Sequence, residues 1–295
     1  MPVAEVDGRQ VKLSNLDKVL YPEPGFTKGE VLHYYTHIAP YLLPHVQGRP
    51  ASFLRFPEGV EGQRFFAKNI PPGAPEWVRT TDVPTSSGTT HHVLVDDLST
   101  LLWAVNLAAI EIHVPQWRAA EPGVADRIVF DLDPGPPATV VECCQVALLV
   151  REALQEDGLD AWAKTSGSKG LHLYVPLAGA PSKDASAYAK ALAVRLEQEH
   201  PELVLHQMTR KLRPGKVFLD WSQNAKAKTT VAPYVIRARP EPTVSTPVTW
   251  DEVAGCAAPE EFVFLPDEVR ERVADQGDLL SPLLESAFDL PGMPD

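Results

Sequence analysis

The chain has 295 residues, 44% of them hydrophobic, a formal net charge of −12 and only three cysteines. That length can bury a sizeable core, as one large domain or two packed ones. No apolar run reaches the roughly 18 residues that span a bilayer, the start "MPVAEVDGRQ" lacks the charged-then-apolar layout of a secretory signal, and Cys143, Cys144 and Cys256 match neither a disulfide framework nor a CxxC metal knuckle; a globular, cytoplasmic protein with no membrane partner and reduced thiols is expected.

In the first half, apolar periodicity predicts a helix over 28–43. Short strands follow in "ASFLRFP" and "RFFAKNI", then a helix after "VDDLST" running through "LLWAVNLAAI", with the start signal at Ser99 and Thr100. From "RIVFDLD" onward the order is clearer: that stretch reads as a buried strand, 140–157 as a helix, "DAWAKTS" as a strand, "GSKG" as a tight turn and "LHLYVPL" as the returning strand. A helix over about 182–200, with Asp184 near its start, precedes "LVLHQM" and "KVFLDWS" as strands. Strand, helix, two hairpin strands, helix, strand is the split βαβ order of ferredoxin-like domains. An α+β fold is expected, a ferredoxin- or RRM-like half packed with an N-terminal mixed α/β half.

Charge is distributed unevenly. From Gln207 to Arg239 there are eight basic residues against the single acid Asp220, whereas the last segment, from Asp251, holds twelve acids and two arginines. A basic strip on an acidic body suits a phosphate-rich ligand held in one groove, and it also reads as a solvated surface.

Side chains alternate along a strand, so Asp131 and Asp133 share a face while Leu132 points the other way. Two such carboxylates repel unless a cation lies between them, and hard oxygen ligands suit Mg²⁺ or Mn²⁺. The split βαβ order makes the first strand central and brings Asp220, on the late strand, toward the pair. Three carboxylates on one sheet can hold two ions about 4 Å apart, stabilising attacking and leaving oxygens. "DPG" by itself also reads as a plain turn. In "KTSGSKGLH", the turn offers backbone N–H groups, Ser166 and Ser168 hydroxyls and Lys169 to a triphosphate, or is a simple hairpin with an exposed lysine. His33 and His37 lack the glutamate of a zinc-protease motif and read as surface or packing residues, and His113, on an apolar strand, reads first as a core histidine.

Taken together, "NLDKVLYP", "TKGEV", "FFAKNIP", "EIHVPQWR", "VFDLDPG", "SGSKGLH" and "LDWSQN" strongly resemble the polymerase domain of bacterial DNA ligase D, in the archaeo-eukaryotic primase superfamily, over roughly residues 11–250. The resemblance implies a single catalytic domain of primase-polymerase type, with 1–121 as an N-terminal half, 122–250 as a metal-binding palm and 251–295 as an acidic C-terminal segment. It implies a nucleotidyltransferase using two Mn²⁺ or Mg²⁺ ions that fills gaps and extends 3′ ends of broken DNA in non-homologous end joining, preferring ribonucleotides. Its partners would be NTP or dNTP, DNA ends or gaps with a 5′-phosphate, a Ku-like end-binding protein and a DNA ligase, at the bacterial nucleoid.

Carried over residue by residue, Asp131, Asp133 and Asp220 would be catalytic metal ligands, Asp220 also helping to activate the primer 3′-hydroxyl. His113, Ser166, Lys169, His172 and Arg237 would surround the sugar and triphosphate. Phe65 or Phe66 would stack on a base, alternation leaving the other in the core. Asn15, Lys18 and Lys28 match a pocket for a 5′-phosphate, and Thr27 can cap the helix that starts beside it. Arg55, Gln223 and Lys228 are expected around nucleotide or template, and Arg213 at DNA. No ligase or nuclease motif follows, so a stand-alone relative or an excised domain is expected.

Two alternatives remain open. "VFDLD" also resembles the nucleophile strand of haloacid dehalogenase phosphatases, but Gly135 stands where Thr or Val belongs and Asp96 and Asp97 precede the strand instead of following it. A non-catalytic DNA-end-binding module would have to place three unpaired acids against phosphates, which weakens binding unless metals intervene.

Overall fold

The computed structural model describes residues 3–86 and 88–292; residues 1–2 and 293–295, at the outer ends of the expected first and last segments, lie outside the described residues. In chain order the elements are β1 (Val3–Val6), β2 (Arg9–Lys12), β3 (Val19–Tyr21), β4 (Phe26–Thr27), α1 (Lys28–Val46), β5 (Pro50–Arg55), β6 (Phe65–Ala67), β7 (Thr80–Thr85), β8 (Gly88–Leu94), α2 (Leu98–Asn106) and β9 (Ala109–Val114). There follow β10 (Val124–Pro134), α3 (Val140–Glu156), β11 (Trp162–Thr165), β12 (Leu171–Pro181), α4 (Ser182–Glu199), β13 (Val204–Leu205), β14 (Val217–Asp220), β15 (Thr230–Val231), β16 (Pro247–Val248), α5 (Trp250–Gly255), α6 (Pro266–Gln276) and α7 (Pro282–Glu285). The chain forms two units: residues 1–114 with 230–245 and 265–277, and residues 115–229 with 246–264 and 278–295. Parts of the expected palm and of the C-terminal segment thus pack with the N-terminal half.

In the first unit a sheet of order β15-β9-β5-β8-β7, with β6 also on β5, carries the site residues. Helix α1 starts where the sequence predicts because Thr27 caps it: its hydroxyl accepts from the Glu30 N–H while the Glu30 carboxylate accepts from the Thr27 N–H, a capping box. It runs three residues past its expected end, through Pro40 and Pro44, because one face buries Val31, Tyr34, Tyr35, Ile38 and Leu42. Helix α2 departs from expectation at both ends. Asp97, not Ser99 or Thr100, caps it, accepting from the Thr100 N–H, and it stops at Asn106. Ala108 takes a left-handed φ of 58° and the chain returns as β9. Ile110, Ile112 and Val114 are β-branched and fully buried, a pattern that suits a central strand better than another helical turn.

The second unit is built on a sheet of order β13-β14-β10-β12-β11-β16. Strand β10 lies between β12 and β14, antiparallel to both, and β11 is also antiparallel to β12, so β10 and β11 run the same way. Ile128, Phe130 and Leu132 of β10 and Leu171, Leu173 and Val175 of β12 enter a core with Cys143, Val146 and Val150 of α3 and Tyr188, Leu192 and Leu196 of α4. The alternate residues of β10, Asp131 and Asp133 among them, face away from it. Of "LVLHQM" only two residues pair as β13; the His206 N–H and ring are taken by Glu197 of α4, which turns the chain off the sheet.

Candidate active site

Sheet register assembles the acids of the second unit. Asp131 stands opposite Asp220 across β10 and β14, and opposite His172 across β10 and β12; His172 in turn stands opposite Lys164 of β11. Residues directly opposite in antiparallel strands share a face. One row therefore reads Asp220, Asp131, His172, Lys164, with Asp133 one pleat along from Asp131. His172 Nε2 lies 3.2 Å from Asp131 Oδ1 and both side chains are largely buried. Two glycines let backbones approach closely at this end of the sheet: a Cβ on Gly135 would meet the Arg213 carbonyl at 2.0 Å, and one on Gly170 the Leu132 carbonyl at 1.9 Å. Only hydrogen fits at either position.

The surrounding protein, and next the charges of Asp131 and Asp220, push the Asp133 carboxyl up to about 7, against the pull of Arg213 and Lys169. Asp220 is engaged locally: Oδ1 accepts from the Ser222 N–H at 3.0 Å and hydroxyl at 2.6 Å, and Oδ2 from Gln223 Nε2 at 2.9 Å, which caps the short 3-10 turn Trp221–Asn224. Among the described residues, no three or more His, Cys, Asp or Glu side chains are gathered in metal-binding geometry. The acids are aligned on a face without being closed into a cage. As a donor set they still fit hard divalent cations, which would relieve the mutual repulsion visible at Asp133.

Lys169 is exposed, as the turn reading requires. Ser166 is buried, and its Oγ accepts from the N–H groups of Ser168 at 3.2 Å and Gly170 at 3.1 Å, so its hydroxyl organises the turn. Arg213 stacks over the Phe218 ring at 4.0 Å, beside Asp133 in register. Lys228 is exposed, and Gln223 is the partner of Asp220.

In the first unit, Lys28 is not the exposed lysine that its position at a helix start suggests. It is 4% exposed, and its Nζ donates to the Ser14 carbonyl at 2.5 Å. Burial, and then the Lys18 ammonium, pull it below the ordinary lysine range. Like charges of this kind are eased by an anion. Lys18 has one in Glu58, at 2.9 Å, and Asn15 shapes the turn before it with a left-handed φ of 52° and a carbonyl that accepts from the Lys18 N–H. The expectation that one of Phe65 and Phe66 is core fails: they are 45% and 53% exposed, because β6 is a three-residue strand paired at the end of β5 and leaves both rings largely open. Arg55 stands opposite Phe65, and its Nε donates to the Leu107 carbonyl at 2.9 Å.

His113 is not a simple core histidine either. Its Nε2 lies 2.8 Å from Oε2 of Glu111, whose Oε1 is 3.2 Å from Arg237 Nε and accepts from the Ala238 N–H at 2.9 Å. Glu111 was missed in the sequence; its signal is an acid two residues before His113 on an otherwise apolar strand. Burial by itself would raise its carboxyl, but the hydrogen bond from His113 and the Arg237 charge bring it down to about 2.

A family description, the LigD primase-polymerase domain, matches residues 27–280. The chain belongs to that family. Its LigD relatives include the multifunctional non-homologous end joining protein LigD of Mycolicibacterium smegmatis, 48% identical over 277 residues that make up 93% of this chain and 36% of that protein. The bifunctional non-homologous end joining protein LigD of Bacillus subtilis is 31% identical over 270 residues, 91% of this chain and 43% of that protein. The chain thus spans well under half the length of these curated LigD proteins. Among solved structures, the polymerase domain of Mycobacterium tuberculosis ligase D in complex with DNA matches with a TM-score of 0.89 and 46% identity, covering 94% of this chain and 99% of that one. The mixed α/β fold is that of a LigD polymerase domain, which sets the haloacid dehalogenase alternative aside. No helix among the described residues is long and apolar enough to cross a membrane.

Proposed function

We propose that the chain is a metal-dependent nucleotidyltransferase that fills gaps and extends 3′ ends at broken DNA in non-homologous end joining, with ribonucleotides preferred. The observation that carries this reading is Asp131 facing Asp220 across β10 and β14, with Asp133 on the same face. The strand order supports reading the second unit as a ferredoxin-like palm. Asp131, Asp133 and Asp220 would hold two Mg²⁺ or Mn²⁺ ions, which supply positive charge to attacking and leaving oxygens when bound. Asp220 is also placed to draw the proton from a primer hydroxyl, and His172 keeps Asp131 oriented. Lys169, with the turn that Ser166 organises, receives the triphosphate. His113 and Arg237 contact the nucleotide, Phe65 and Phe66 offer stacking surfaces for bases, and Arg55, Arg213, Gln223 and Lys228 contact nucleotide, template or DNA backbone. A Ku-like end-binding protein and a DNA ligase are the partners this role implies, at the nucleoid.

Primer extension on gapped duplex DNA tests the reading. Addition is expected with Mn²⁺ or Mg²⁺, to stop when the metal is chelated, and to be faster with ribonucleotides than deoxyribonucleotides; extension that persists in chelator overturns it.

The pocket of Asn15, Lys18 and Lys28 is assigned to the downstream 5′-phosphate of a gap. Charge-assisted contacts are worth about 1.5–3 kcal/mol, so a phosphorylated gap should bind about tenfold or more tightly than a hydroxyl gap. The Lys18→Ala, Lys28→Ala double variant is expected to lose that preference and still extend a simple primer-template. Competition binding at fixed salt decides it, and equal affinity of the unaltered protein for both gaps rules the pocket out.

A further inference from the structure

We infer that Glu111 is a positioning residue for nucleotide binding: it holds the His113 imidazole and the Arg237 guanidinium in one fixed arrangement and does not itself touch the nucleotide. The inference rests on the reading of His113 and Arg237 as nucleotide contacts. Glu111 and His113 are two apart on β9 and share a face, and Arg237 and Ala238 follow β15, the strand that pairs with β9. The glutamate is 3% exposed, and its carboxylate engages His113, Arg237 and the Ala238 N–H.

A carboxylate only accepts, so the proton of the facing imidazole nitrogen is fixed on Nε2 and Nδ1 is the nitrogen not committed to Glu111. The ring thereby has a defined tautomer and orientation. Arg237 is held to the same carboxylate by charge, with its Nε 3.2 Å from Glu111 Oε1. The base beneath this trio is stiff: the Tyr35 hydroxyl donates to the Ile110 carbonyl at 2.6 Å and accepts from the Ile236 N–H at 3.1 Å, while the Tyr21 hydroxyl donates to the Arg237 carbonyl at 3.0 Å. Both chain segments that carry the trio are cross-linked next to it. Folding alone gives little reason for the arrangement, because a buried carboxylate is costly and a well-packed apolar side chain on β9 would serve as well or better.

Glu111→Gln keeps the size and removes the charge. The expected result is a nucleotide KM raised about tenfold with kcat within about twofold and DNA affinity close to that of the unaltered protein, with a lower melting temperature because the buried partners lose their counter-charge. His113→Ala should raise the KM as well, and the double variant should be no worse than the poorer single one, because Glu111 acts through its partners. Nitrogen-15 NMR of the unaltered protein should find the His113 ring protonated on Nε2, a measurement that does not depend on how well any variant folds. A His113→Ala protein with unchanged KM overturns the nucleotide reading of these residues, and this inference with it. A raised KM in His113→Ala beside a normal one in Glu111→Gln overturns the inference alone, as does a His113 ring protonated on Nδ1 only.

Discussion

Asp131→Ala is expected to abolish nucleotide addition, by about 10³-fold or more, and to leave DNA binding intact. Asp131 is the middle member of the row across the sheet, with Asp220 on one side and His172 on the other. Its removal takes away the carboxylate that stands between Asp220 and His172 and that His172 contacts, whereas Asp133 and Asp220 each lie at one side of the group. The fold should tolerate the change, because Asp131 faces away from the core that holds Phe130 and Leu132. Asp131→Asn, which keeps the size, should be as inactive. The measurements are primer extension and, separately, fluorescence anisotropy with labelled gapped DNA. Extension by the alanine protein above a contaminant-free background sinks the assignment, and loss of DNA binding in step with activity would show that the residue serves the fold.

Gly170→Ala is expected to lower the melting temperature and cut activity together. The new Cβ would lie 1.9 Å from the Leu132 carbonyl and 3.3 Å from Pro134 Cδ, and a backbone oxygen on a central strand cannot swing aside as a side chain can. Overpacking of this kind costs about 1–3 kcal/mol or more. In a domain of this size that lowers the melting temperature by roughly 2–4 °C for each kcal/mol. Leu132 lies between Asp131 and Asp133, so a shift of β10 moves the acids; a displacement on the order of 1 Å can cost about a hundredfold in rate. Gly255→Ala, with open space around the added carbon, is the control and should change neither. A Gly170→Ala protein with the original melting temperature and turnover would mean that the turn relaxes freely.

Most of the second unit was legible in the sequence because its longer elements have a clear period. β10 carries its apolar residues on one face and its acids on the other, α3 and α4 present apolar stripes, and both glycine turns occur where backbones approach closely. The first half was harder to read, for physical reasons. "LLWAVNLAAI" is apolar throughout, and what ends the helix is the left-handed turn at Ala108, for which alanine gives no signal. Phe65 and Phe66 follow the alternation of a strand, but alternation hides a residue only where something covers the face, and this strand of three residues leaves both rings largely exposed. The charge of Lys28 was visible; its burial against Ser14 was not, because that depends on how the chain before α1 folds back. Glu111 has its meaning through Arg237, far along the chain, and β15 must pair with β9 before the two can meet.

The ion pair between Lys18 and the exposed Glu58 has a consequence for which phosphates the proposed pocket accepts. Binding there is an exchange of one anion for another, not the neutralisation of a bare cation. A phosphodiester inside a DNA strand carries one negative charge and replaces Glu58 one for one, with little gain. A terminal phosphate monoester carries close to two at neutral pH, so it leaves a surplus that also meets Lys28. In the proposed pocket Glu58 would thus set a threshold that strand ends pass and continuous backbone does not, so that a break would be told from intact DNA by counting charge, with no base read at all.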